Sequence, residues 1–85
     1  DLTRVISLDG NYSSFKQGID CNMAWSNDNG GFTAVCNYKS KRFEVIKGDS
    51  IGGGVVTDIT PTKVFIEKDE QILMFNFGLD RYENN

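Results

Sequence analysis

Phe43-Glu44-Val45-Ile46-Lys47-Gly48-Asp49-Ser50-Ile51-Gly52-Gly53-Gly54-Val55-Val56-Thr57-Asp58-Ile59-Thr60 reads as a strand, a sharp glycine-rich turn and a second strand. Phe43 and Val45 share one face while Glu44 points to the other, the alternation of a sheet edge half in water. Gly48, Asp49, Gly52, Gly53 and Gly54 are assigned to the turn, where the backbone doubles back through φ values that other residues avoid. A phosphate cradle is the rival reading of these glycines. It needs a helix after the loop, and here a β-branched run follows.

Downstream, Thr60-Pro61-Thr62-Lys63 offers proline where a turn favours it, so Val55 to Ile59 and Val64 to Glu67 are expected to form a hairpin. Lys68-Asp69-Glu70-Gln71 is the next polar turn. Ile72 to Phe77 follows, apolar on both alternating sets and therefore expected to be covered on both sides. Upstream, Leu2 to Leu8 reads as a strand closed by Asp9-Gly10-Asn11, and Tyr12 to Gly18 has no clear period and is read as irregular. The tail from Leu79 to Asn85 is polar and expected to fray. Together these runs predict an all-β fold, a small sandwich of two antiparallel sheets with about six or seven strands.

The chain has 85 residues, read as one domain, and a domain of this size needs reinforcement beyond its core. The two cysteines supply it. Asp20 to Trp25 and Phe32 to Tyr38 flank Ser26-Asn27-Asp28-Asn29-Gly30-Gly31, and a hairpin centred between Asp28 and Asn29 sets Trp25 opposite Phe32, Met23 opposite Ala34 and Cys21 opposite Cys36. All six side chains then share the buried face, and a Cys21–Cys36 disulfide staples it. Such a bond places the protein in an oxidising compartment; two buried free thiols, suited to the cytosol, are the alternative.

The composition argues against chemistry. With no histidine, a zinc site would need cysteines and carboxylates alone, and a general base beside a nucleophile is not in sight. No metal, cofactor or catalytic residue is assigned. Asn27-Asp28-Asn29-Gly30 has the alternating oxygens of a calcium loop but lacks its acidic first position and its bidentate glutamate, so a turn explains it better. A net charge of −3 speaks against nucleic acid. No run approaches the about eighteen apolar residues of a membrane span, and any membrane anchor is expected to lie upstream, in a longer protein.

Val45 to Ile59, followed by Lys63-Val64-Phe65-Ile66-Glu67, resembles the periplasmic homology region shared by the inner-membrane C component of type II secretion and the P protein of type IV pilus biogenesis. Gly48, Asp49, Val56, Ile59 and Val64 match the pattern. Ile6-Ser7-Leu8-Asp9-Gly10 is similar to that family's first strand and glycine, and Thr33-Ala34-Val35 to its small-residue second strand. The likeness spans most of residues 2 to 77, and the segment Ile19 to Asn29 with its cysteine pair departs from it. The resemblance implies a non-enzymatic, periplasmic β-sandwich tethered at the inner membrane, whose partners are the periplasmic domain of an outer-membrane secretin and other pilus or secretion assembly proteins. If the first strand is a sheet edge, Arg4, Val5 and Ile6 are the expected partner contacts, and Lys39, Lys41 and Lys47 discourage indiscriminate edge pairing. The rival function is a disulfide-stabilised secreted or phage-borne receptor-binding domain, marked by exposed aromatics such as Tyr12, Phe15, Tyr38 and Tyr82.

Overall fold

A computed structural model describes residues 4–8, as backbone, and residues 18–78. Eight strands follow one another: β1 (Arg4–Leu8), β2 (Ile19–Ser26), β3 (Phe32–Tyr38), β4 (Lys41–Ile46), β5 (Ser50–Ile51), β6 (Gly54–Ile59), β7 (Lys63–Lys68) and β8 (Gln71–Asn76). They form a five-stranded sheet ordered β1-β8-β7-β6-β5 and a three-stranded sheet ordered β2-β3-β4. The all-β, two-sheet architecture with one disulfide is the one the sequence implies. The strand beyond the expected count is the two-residue β5. One pairing departs from the antiparallel rule, because β1 runs parallel to β8, with Arg4 opposite Gln71 and Leu8 opposite Phe75. A parallel pair needs a long crossover, and here the intervening strands of both sheets supply it.

The glycine segment is where the chain changes sheets. Asp49 N–H donates to the Ile46 carbonyl at 3.0 Å, and the Asp49 carboxylate accepts from Ile46 N–H at 2.9 Å. Gly48 sits between them at φ +98°. The turn is then tied to the other sheet, since Gly48 N–H donates to Val56 O and Val56 N–H to Asp49 O, both at 2.8 Å. Gly52 and Gly53, at φ +58° and +87°, close the β5–β6 hairpin as a type I′ turn. A Cβ on Gly52 would lie 2.8 Å from Ile19 Cδ1, so this turn is also where β2 of the opposite sheet rests. Gly54, expected in the turn, belongs to β6 itself, where a Cβ would lie 2.6 Å from Ile66 Cγ2.

The β6–β7 hairpin forms as the proline turn suggests, with Ile59 opposite Val64 and the Thr60 hydroxyl accepting from Lys63 N–H at 3.0 Å. β8 is an interior strand between β7 and β1; Leu73 and Phe75 are buried in the core, whereas Ile72 and Met74 on its other face are half-buried, so the expected cover on both sides is complete on one face only. Between the sheets, Val56, Val64, Ile66, Leu73 and Phe75 meet Ile19, Cys21, Ala34, Cys36 and Val45 in one buried cluster. Each large side chain buried there contributes about 1.5–3 kcal/mol. The Cys21–Cys36 bond lies inside the cluster, between directly opposed residues of β2 and β3.

Candidate functional site

The three-stranded sheet owes its outer face to one loop. Asn27 N–H donates to Gly31 O at 2.9 Å, and the Asn27 side-chain oxygen accepts from the amides of Asn29 (2.9 Å) and Gly31 (3.1 Å). Its amide nitrogen donates to the Thr33 hydroxyl at 3.1 Å. This cage centres the loop on Asn29, half a residue beyond the centre expected from the sequence. Ser26 therefore pairs with Phe32, Trp25 with Thr33, Ala24 with Ala34 and Met23 with Val35. The cysteines still face each other, because a bulge between Cys21 and Met23 absorbs the difference at Asn22.

This register corrects the sequence expectation at two pairs. Trp25 does not oppose Phe32, and Met23 does not oppose Ala34; only the cysteine pair keeps its predicted partner. Because the bulge adds one residue, the side chains beyond it change face. Ala24 turns inward to pack on the core, while Met23 and Trp25 turn outward, 47% and 39% exposed.

On that outer face the register lays side chains in rows across β2, β3 and β4. Asp20, Asn37 and Arg42 form one row, Met23, Val35 and Glu44 the next, and Trp25, Thr33 and Ile46 the last. Ile46 is 48% exposed, and Val35 is buried although it lies on the side away from the core cluster. The result is an apolar corner of Trp25, Met23 and Ile46 around Val35, bordered by a charged row. An exposed apolar cluster of this kind makes the face a candidate contact surface.

The other predicted residues lie elsewhere. Arg4, Val5 and Ile6 are in β1, paired with Gln71, Ile72 and Leu73, and β1 is an edge of the five-stranded sheet; among the described residues no strand pairs with its other side. The condition attached to these contacts, that the first strand be an edge, is met. Lys39, Lys41 and Lys47 are exposed, with Lys41 opening the edge strand β4 and the Lys39 ammonium 5.4 Å from the centre of the Tyr38 ring. Tyr38 is half-buried and packs on the core, so it is not an exposed aromatic; Tyr12, Phe15 and Tyr82 fall outside the described residues. Asn27 spends its side chain on the loop's own amides, and among the described residues no group of three or more His, Cys, Asp or Glu side chains converges.

Sequence reasoning missed Trp25, Met23 and Ile46 as a surface. Ile46 was recoverable, since it follows the inward Val45 in a simple alternation. No family model, curated protein or solved structure matches the chain.

Proposed function

We propose that this chain is a non-enzymatic binding module of the bacterial periplasm, an assembly part that links the inner-membrane platform of a type IV pilus or type II secretion system to the outer-membrane secretin. The observation that carries the reading is the place of β1 at the end of the five-stranded sheet, with no strand paired to its other side among the described residues. A peripheral strand presents a row of backbone donors and acceptors on which an extended strand of a partner can add. The disulfide suits an oxidising compartment. The absence of histidine from the sequence and the engagement of both cysteines with each other leave the usual nucleophile–base pairings without members.

The test is calorimetric titration with the periplasmic domain of a secretin encoded beside this protein. The reading expects saturable binding that Arg4→Glu weakens and that a double Val5→Pro, Ile6→Pro change abolishes. Adjacent strand residues point their N–H groups to opposite sides, so one of that pair removes an outward donor. No heat of binding, or binding indifferent to all of these changes, overturns it. A second reading, a disulfide-stabilised secreted or phage-borne receptor-binding domain, is favoured by the exposed Trp25 corner, and cell-surface capture by the isolated chain in the absence of a secretin is its test.

A further inference from the structure

We propose that the outer face of the three-stranded sheet binds a second copy of this chain, the two sheets packing face to face about a two-fold axis that runs along β3. This surface lies on the sheet opposite the β1 edge and does not depend on the function proposed for that edge.

The pattern of the rows selects both the occupant and the axis. A two-fold axis along β3 lays β2 of one copy over β4 of the other, row on row. Trp25 then covers the partner's Ile46, Met23 covers the aliphatic stem of the partner's Glu44, and Asp20 meets the partner's Arg42. Val35, Thr33 and Asn37 meet their own counterparts on the axis. Each contact occurs twice, and every charge in the first row finds its opposite. An axis across the strands instead sets Trp25 over the partner's Asp20, Ile46 over the partner's Arg42 and Glu44 over the partner's Glu44, so that no charge meets its opposite and like charges face each other.

The acidic residue of the charged row stands on one edge strand and the basic residue on the other, with β3 midway between them. A surface shaped for an unrelated protein has no need of such self-complementarity, whereas an isologous dimer requires it. Near-parallel alignment of the two sets of strands is also a favoured way for sheets to stack. A face only three strands wide falls short of the about 800 Å² per partner typical of stable complexes, so the pair is weak and depends on concentration. It does not involve β1, so a dimer can present two copies of that sheet edge at once.

Charge exchange tests the geometry. Sedimentation equilibrium should show wild-type protein passing from monomer to dimer as concentration rises. Asp20→Arg and Arg42→Asp should each weaken the dimer roughly tenfold or more, because each sets like charges against one another. An equimolar mixture of the two variants should regain it, since the first presents only basic groups in that row and the second only acidic ones. Native-like circular dichroism of each variant alone controls for folding. Wild-type protein that stays monomeric up to its solubility limit overturns the proposal, and then the face is left to a different protein. A mixture no more associated than its separate components, or association at higher stoichiometry than two, overturns it as well.

Discussion

The two sheets bury their large side chains to different depths. The five-stranded sheet turns Val64, Ile66, Leu73 and Phe75 inward, all essentially without solvent contact. The three-stranded sheet fills its fully buried positions mainly with smaller groups, Cys21, Ala34 and Cys36 beside Ile19 and Val45, packs Phe32, Tyr38 and Phe43 half-buried against the same core, and points Trp25, Met23 and Ile46 to the outside. The larger sheet supplies most of the large side chains that are fully buried, whereas the smaller adds a covalent bond and, apart from Ile19, keeps its largest side chains half-buried or exposed.

If that division is right, truncation in the larger sheet has the largest effect. Phe75→Ala should cost about 3–5 kcal/mol in chemical denaturation, much of the stability of a domain this small. A loss below about 1 kcal/mol would mean that the larger sheet does not carry the core. Reduction of the Cys21–Cys36 bond comes next, at about 3 kcal/mol from the restored freedom of the unfolded chain. Cys36→Ser should lower the melting temperature of oxidised protein and barely change that of reduced protein. Equal loss in both states would assign the cysteines to packing and erase the contrast between the sheets.

Smaller again is the effect at the crossing between the sheets. Gly48→Val should destabilise by about 1–2 kcal/mol, because a β-branched residue resists the φ of +98° found there. Lys47→Ala, one position earlier and exposed, should stay within about 0.5 kcal/mol of wild type. Equal denaturation midpoints for the two variants would remove the tight turn from the account of how the chain changes sheets.

How far the sequence led depended on whether a feature was local. The Pro61 turn, the polar turn at Asp69-Glu70 and the alternation of Phe43, Glu44 and Val45 are each decided within a few residues, and each was legible. So was the disulfide, because small size and opposed strands both favour it. The register of β2 on β3 was not, since two local preferences compete there. The Asn27 cage centres the loop on Asn29, whereas the cysteine pair requires a register one step away. The extra residue at Asn22 satisfies both, and no local pattern announces where such a bulge falls. The parallel seat of β1 on β8 joins opposite ends of the chain, beyond the reach of any periodicity. The outward face, and with it the candidate surface, follows from the bulge.

The most direct test of that reversal uses Trp25, the chain's single tryptophan, as its own reporter. In dilute, oxidised, native protein its fluorescence should be red-shifted relative to a buried tryptophan and readily quenched by acrylamide, to a degree between that of a buried indole and that of the unfolded chain. Blue-shifted emission that resists quenching until the protein unfolds would put Trp25 in the core and contradict the bulged register on which the surface rests.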